Sequence, residues 1–208
     1  MILEACVGNL NDALSAQQKG AHQIELCDRL DLDGNSPSLE LIKTVTSALS
    51  VPVKIIVNPK PFDYTYDDAE LADIKNYIQS IIQFNIAGLV FGSVDSEGMP
   101  DLNAIKVISK CTDLPITFHK AIDTSPNMLK AIQLLIGQDI VKYILTSGGA
   151  KTAELGIPVL SEMAGMLKRY NSPIQLIGAG RITDKNLHSL HDILSLNYYH
   201  GKLIVGEL

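Results

Sequence analysis

The feature that most limits this chain is an alternation repeated eight times: a short run rich in β-branched and apolar residues, then a longer segment with helical periodicity. The short runs read as strands at Ile2–Val7, Gln23–Cys27, Val53–Asn58, Ala87–Phe91, Ile116–His119, Val141–Thr146, Ile174–Gly178 and Asn197–His200. Their starts lie roughly 20–35 residues apart, room for one helix in each interval. Leu71, Ile74, Ile78, Ile81 and Ile82 form one helical stripe; Met128, Leu129, Ile132, Leu135 and Ile136 form another; Leu160, Met163, Ala164 and Leu167 form a third. Ser36-Pro37, Ser125-Pro126 and Thr183-Asp184 read as helix starts, each with a capping side chain. Eight such units in one chain predict a closed (β/α)8 TIM barrel spanning residues 1–208 as one domain. The final unit is short, because only Lys202–Leu208 follows the last strand. An open doubly wound sheet fits less well. It needs fewer strands and a glycine-rich first turn, where this chain has Cys6-Val7-Gly8-Asn9.

Composition narrows the function classes. Apolar residues make up 46% of the chain and charged residues 19%, which supports a packed core. A net charge of −6 without any block of Lys or Arg argues against nucleic acid or an anionic membrane as partner. No apolar run approaches the ~18 residues that span a bilayer. The N-terminus shows no signal-peptide pattern, and Cys6, Cys27 and Cys111 do not make a disulfide framework. A reduced, cytoplasmic protein is expected.

Strand parity sorts the side chains. Leu3 and Ala5 should face the helices, which turns Glu4 and Cys6 into the barrel. Ile24 and Leu26 do the same for Glu25 and Cys27, so one Glu-x-Cys pattern recurs on neighbouring strands. Thr117 and His119 point inward on the fifth strand, Lys54 on the third, and Tyr198 and His200 share a face on the eighth. Polar groups therefore converge on the upper interior, where TIM-barrel chemistry sits.

These stretches resemble the CutC copper homeostasis family. The matching residues are Leu3-Glu4-Ala5-Cys6-Val7, Ile24-Glu25-Leu26-Cys27, Gly34 through Pro37-Ser38, Gly88-Leu89-Val90-Phe91-Gly92, Pro115 through Ala121, Leu145-Thr146-Ser147-Gly148 and His200-Gly201. They run in family order over nearly the whole chain. The resemblance implies a TIM barrel, a cytoplasmic location, a homo-oligomer (dimer or tetramer) and a role in copper handling. The chain departs from the family where an Arg-Pro-Arg becomes Asn58-Pro59-Lys60, where three glycines become Gly178-Ala179-Gly180, at Lys120, and in the tail Lys202–Leu208.

Two functions compete. In the first, the protein binds copper as Cu(I) through Cys6 and Cys27, since thiolates are soft ligands. Adjacent strands lie ~4.8 Å apart, so the two sulfurs are expected within about 4 Å of each other. In the second, the chain is an enzyme acting on a small anionic or phosphorylated metabolite. Glu25 and His119 are then an acid/base pair with an ordinary histidine pKa near ~6.5, and Asp123 either orients His119 or caps the next helix. The loop Gly178-Ala179-Gly180-Arg181, with Gly201, is the candidate anion site. Thr146-Ser147-Gly148-Gly149 either extends that site or is a plain turn. Lys54 is a candidate partner for Glu4 and Glu25.

Overall fold

The computed structural model describes every residue except Asp33 and Pro61, and also leaves out the side chain of Leu32. Eight parallel strands close into a barrel in chain order: β1 (Ile2–Val7), β2 (Gln23–Leu26), β3 (Val53–Ile56), β4 (Gly88–Phe91), β5 (Ile116–Phe118), β6 (Val141–Thr146), β7 (Gln175–Gly178) and β8 (Tyr198–Gly201). Each expected strand is present to within two residues at either end. Around them lie α1 (Leu10–Gln18), α2 (Leu39–Ala48), α3 (Asp68–Ile81), α4 (Leu102–Ser109), α5 (Met128–Ile136), α6 (Ala153–Arg169) and α7 (Leu187–Leu194). Among the described residues no α-helix follows β8, as the short final unit requires. None of the described helices is long and apolar enough to cross a membrane.

The helix-facing strand positions carry most of the core. Ile24, Leu26, Phe91, Phe118 and Tyr199 are fully buried there against stripes such as Leu71, Ile74, Ile78 and Ile81 of α3. Each large side chain taken from water stabilises by roughly 1.5–3 kcal/mol. Inside the barrel the packing is different. Cys6, Cys27, Ile56 and Val90 form one small apolar cluster, and Leu145, Ile177 and Ala179 form another. Between and below them lie charged groups.

All three expected helix starts are displaced along the chain. Ser38, not Ser36, caps α2 and accepts from the Leu41 amide, while the Ser36 hydroxyl accepts from the Asn58 amide. Asn127, not Ser125, caps α5. Asn186 stands at the start of α7, and its side chain turns back to the Thr183 amide instead of capping forward. In each case the Ser-Pro or Thr-Asp pair belongs to the loop. At α2 and α5 a later polar residue in extended geometry occupies the cap and accepts from a free amide, whereas Asn186 is helical and makes no forward cap.

A candidate metal and ligand site at the barrel mouth

The deepest part of the site is an ion network. The Glu4 carboxylate is fully buried, with Oε2 2.8 Å from Lys54 Nζ and Oε1 2.9 Å from His200 Nδ1. Gln23 Nε2 also donates to Glu4 Oε2 at 2.6 Å. Lys54 donates to Thr117 Oγ1 at 3.3 Å and lies 4.1 Å from the centre of the Tyr143 ring. Burial by itself would favour a neutral Glu4, but the Lys54 and His200 charges and hydrogen bonds overcome it and hold the pKa at about 2. Of the two glutamates, Lys54 thus takes Glu4.

Glu25 is left in a different state. It sits beside Cys6 in the β1–β2 register, and its Oε1 accepts from Cys6 Sγ at 3.6 Å. Its Oε2 is buried without a hydrogen-bond partner and lies 3.9 Å from His200 Nδ1. Burial, with Glu4 adding and His200 opposing, pushes its pKa up. The Cys6 and Cys27 sulfurs are 3.4 Å apart, inside the expected approach, and Cys27 Sγ also donates to the Val7 carbonyl at 3.4 Å. The hydrogen bond to Cys27, then burial and the neighbouring Cys27 and Glu25 charges, push the Cys6 thiol well up.

His200 closes the cluster. Burial opposes its charge, but Glu25, hydrogen bonds to Cys6 and Glu4, and the Cys6 charge together raise its pKa. Donor atoms of Cys6, Glu25 and His200 all lie within 4.8 Å of one another, a spacing that a metal ion could bridge. Glu4 engages Nδ1 of His200 and is placed as its orienting carboxylate, and the same Nδ1 lies 3.9 Å from Glu25 Oε2. Sequence parity brought His200 to the rim but did not join it to the sulfurs. The β1–β8 closure does so, by pairing Glu4 with His200.

His119, just past β5, is buried to 4% exposure. It can sit there because β4 ends in glycine: a Cβ on Gly92 would stand 2.5 Å from His119 Nδ1. That Nδ1 accepts from the Ala121 amide at 3.1 Å, so in the neutral ring the proton is on Nε2, which is buried and unpartnered. Burial lowers the pKa to about 4, which corrects the ordinary value expected from sequence. His119 is a neutral hydrogen-bond donor at physiological pH. Nitrogen-detected NMR should show the Nε2–H tautomer persisting unchanged from neutral pH to about 5; an imidazolium signal at pH 6 would refute this.

Asp123 performs neither role expected of it. Its carboxylate turns to the β6–α6 turn. It accepts from the Thr146 hydroxyl, from the Ser147 amide at 3.1 Å and hydroxyl at 2.9 Å, and from the Gly149 amide at 3.0 Å. Asp123 thus occupies that turn as an internal anion, and those amides are not left for a ligand.

Two cavities meet at the mouth. The inner one, about 60 Å3, is lined by Cys6, Glu25, Asn58, Tyr64, His119 and His200 among others. The outer one, about 500 Å3, includes Gly180, Arg181 and Gly201. Lys120, His200 and Lys202 line both. Gly178 does not line the outer cavity: a Cβ there would meet Leu196 and Tyr199. Gly201 is required for the close approach of the β7 and β8 loops, since its Cβ would lie 2.2 Å from the Ile182 carbonyl oxygen.

A CutC family model matches residues 1–205. The chain belongs to the CutC family. A protein of the family from Photorhabdus laumondii is 37% identical over 92% of this chain and 75% of its own length. A mouse copper homeostasis protein cutC homolog is 30% identical over 96% and 72%. The crystal structure of a CutC from Streptococcus agalactiae superposes with a TM-score of 0.91 at 25% identity, covering 98% of this chain and 99% of that one. Family membership accounts for the barrel and for the family-level link to copper homeostasis.

Proposed function

We propose that this member of the CutC family binds and hands on copper in the cytoplasm, as Cu(I), at the inner end of the barrel mouth. The observation that carries this reading is the meeting of Cys6, Glu25 and His200 around one point, with a second sulfur, Cys27, 3.4 Å from the first. Softness ranks the donors. Two sulfurs and an imidazole suit Cu(I), whereas the harder Glu25 carboxylate contributes charge. Copper would replace the thiol proton whose loss the buried site otherwise resists. Self-association into a dimer or tetramer belongs to the same reading, and light scattering of the purified protein tests it.

The test is competition for Cu(I) against a chromophoric chelator under reducing conditions. One Cu(I) per chain is expected. The raised Cys6 pKa means that binding expels a proton, so affinity should rise about tenfold per pH unit for each proton released. Affinity that stays flat between about pH 6 and 8 would remove the buried thiol from the site.

A second reading, an enzyme acting on a small anionic metabolite, is favoured by one observation. Glu25 and His119, from β2 and the end of β5, line the same small cavity, and Glu25 Oε2 and His119 Nε2 are buried without hydrogen-bond partners. Glu25 would be the anionic partner, and His119 the donor to an oxygen of the substrate. Glu25→Gln and His119→Asn should then each abolish turnover with strongly non-additive effects.

A further inference from the structure

The outer cavity has a charge pattern that copper does not use. Lys120 follows β5, Lys151 follows β6, Arg181 follows β7 and Lys202 follows β8, so four consecutive strands each deliver one cation to a single cavity. Among the described residues no Asp or Glu lines it, in a chain whose net charge is −6. Among the described residues no carboxylate pairs with the side chains of Lys151, Arg181 or Lys202, and Lys120 has only Asp123 at 3.9 Å. Lys202 Nζ rests on the Leu30 carbonyl. Arg181 is held in the left-handed region at φ 58°, a backbone conformation that a non-glycine residue keeps only when its surroundings impose it. Further in, the small cavity shares Lys120, His200 and Lys202 with the outer one and adds Glu25 and the Nε2–H of His119, which has no hydrogen-bond partner.

We propose that the mouth binds a small phosphorylated carbonyl compound, with its phosphate among Arg181, Lys151, Lys120 and Lys202 and its carbonyl oxygen on His119 Nε2. The polarity of the site fixes the orientation. Phosphate is drawn to Arg181 and Lys151, which line only the roomier outer cavity, whereas a neutral oxygen acceptor satisfies a buried donor that otherwise has no hydrogen-bond partner. Because Nδ1 already accepts from Ala121, Nε2 can only donate, which selects an acceptor oxygen over an amine. The inference supplies a substrate class for the second reading and shares its inner cavity. It concerns binding, which stands whether or not turnover follows.

The test uses reduced, copper-free full-length protein titrated with inorganic phosphate and, separately, with dihydroxyacetone phosphate. Both should bind saturably at millimolar concentrations or below, the carbonyl compound at least about tenfold more tightly. Arg181→Gln with Lys151→Gln should weaken both by at least about tenfold, since two charge-assisted contacts are lost. The nitrogen resonance of His119 Nε2 should move with dihydroxyacetone phosphate and stay in place with inorganic phosphate. Because the protein titrated is copper-free, saturable phosphate binding stands apart from the copper reading. Absence of saturable binding, binding indifferent to the two cation substitutions, or an unmoved Nε2 resonance would each overturn it. The resonance is read in the unsubstituted protein, so a poorly folding variant cannot obscure the result.

Discussion

Lys54→Met should destabilise the barrel by about 3–5 kcal/mol, the cost of stripping a buried carboxylate of its cation. That corresponds to a fall in Tm of roughly 10 °C for a domain of this size. Lys54 is 3% exposed and Glu4 is not exposed at all, so solvent cannot take over the lost contact. The double variant Glu4→Gln with Lys54→Met should recover much of the loss, because it removes the stranded charge along with its partner. Glu4 also sets an acid limit. Its pKa falls from 4.5 to about 2 on folding, so its contribution is present above pH 4.5 and is lost as pH falls toward 2. Glu25, whose pKa is raised, acts in the opposite sense. The Glu4 component is therefore read as the difference between wild type and Glu4→Gln in urea midpoints across that range. A Lys54→Met midpoint equal to wild type would show that the pair carries no net stability.

Cys6→Ser should lower Cu(I) affinity by more than about 100-fold, beyond the 10–100-fold that loss of a supporting residue costs. Cys6 is the one residue that touches both Cys27 and Glu25, and serine replaces its soft donor with a hard, weakly acidic one. Glu4→Gln should fall in the lower, supporting range, since Glu4 meets the site only through His200, although its loss also removes the counter-ion of Lys54. Glu25→Gln should weaken Cu(I) less than Cys6→Ser does. Chelator competition on folded variants reads all three. If Glu25→Gln proves more damaging than Cys6→Ser, the metal is held by oxygen and the Cu(I) assignment fails.

The folds of Ser36-Pro37, Ser125-Pro126 and Thr183-Asp184 show where local sequence stops being informative. Several polar residues near each helix start could cap it, and the loop path decides which one reaches extended geometry at α2 and α5 and leaves α7 without a side-chain cap. Asp123 shows the same limit at the site. It is four residues from His119 in sequence, yet it answers to the turn after β6 because four amide and hydroxyl donors converge there. The outer cations were only half visible. The position of Arg181 in the loop after the seventh strand marked it as an anion-site candidate, whereas Lys120 and Lys151 join it from loops that no local pattern links to it.

What the sequence determined by itself was periodic: eight strands, their order, and the inward parity of Glu4, Cys6, Glu25, Cys27 and His119. These follow because side-chain alternation on a strand is a local property of an extended backbone. Tertiary structure decided everything that depends on barrel closure and on distances across the barrel. It chose Glu4 rather than Glu25 for Lys54. It brought β8 against β1, so that His200 completes the Cys6 and Glu25 cluster. It buried His119 deeply enough to keep it neutral. Charge pairing and desolvation depend on which strands meet, and that meeting is encoded only in the fold as a whole.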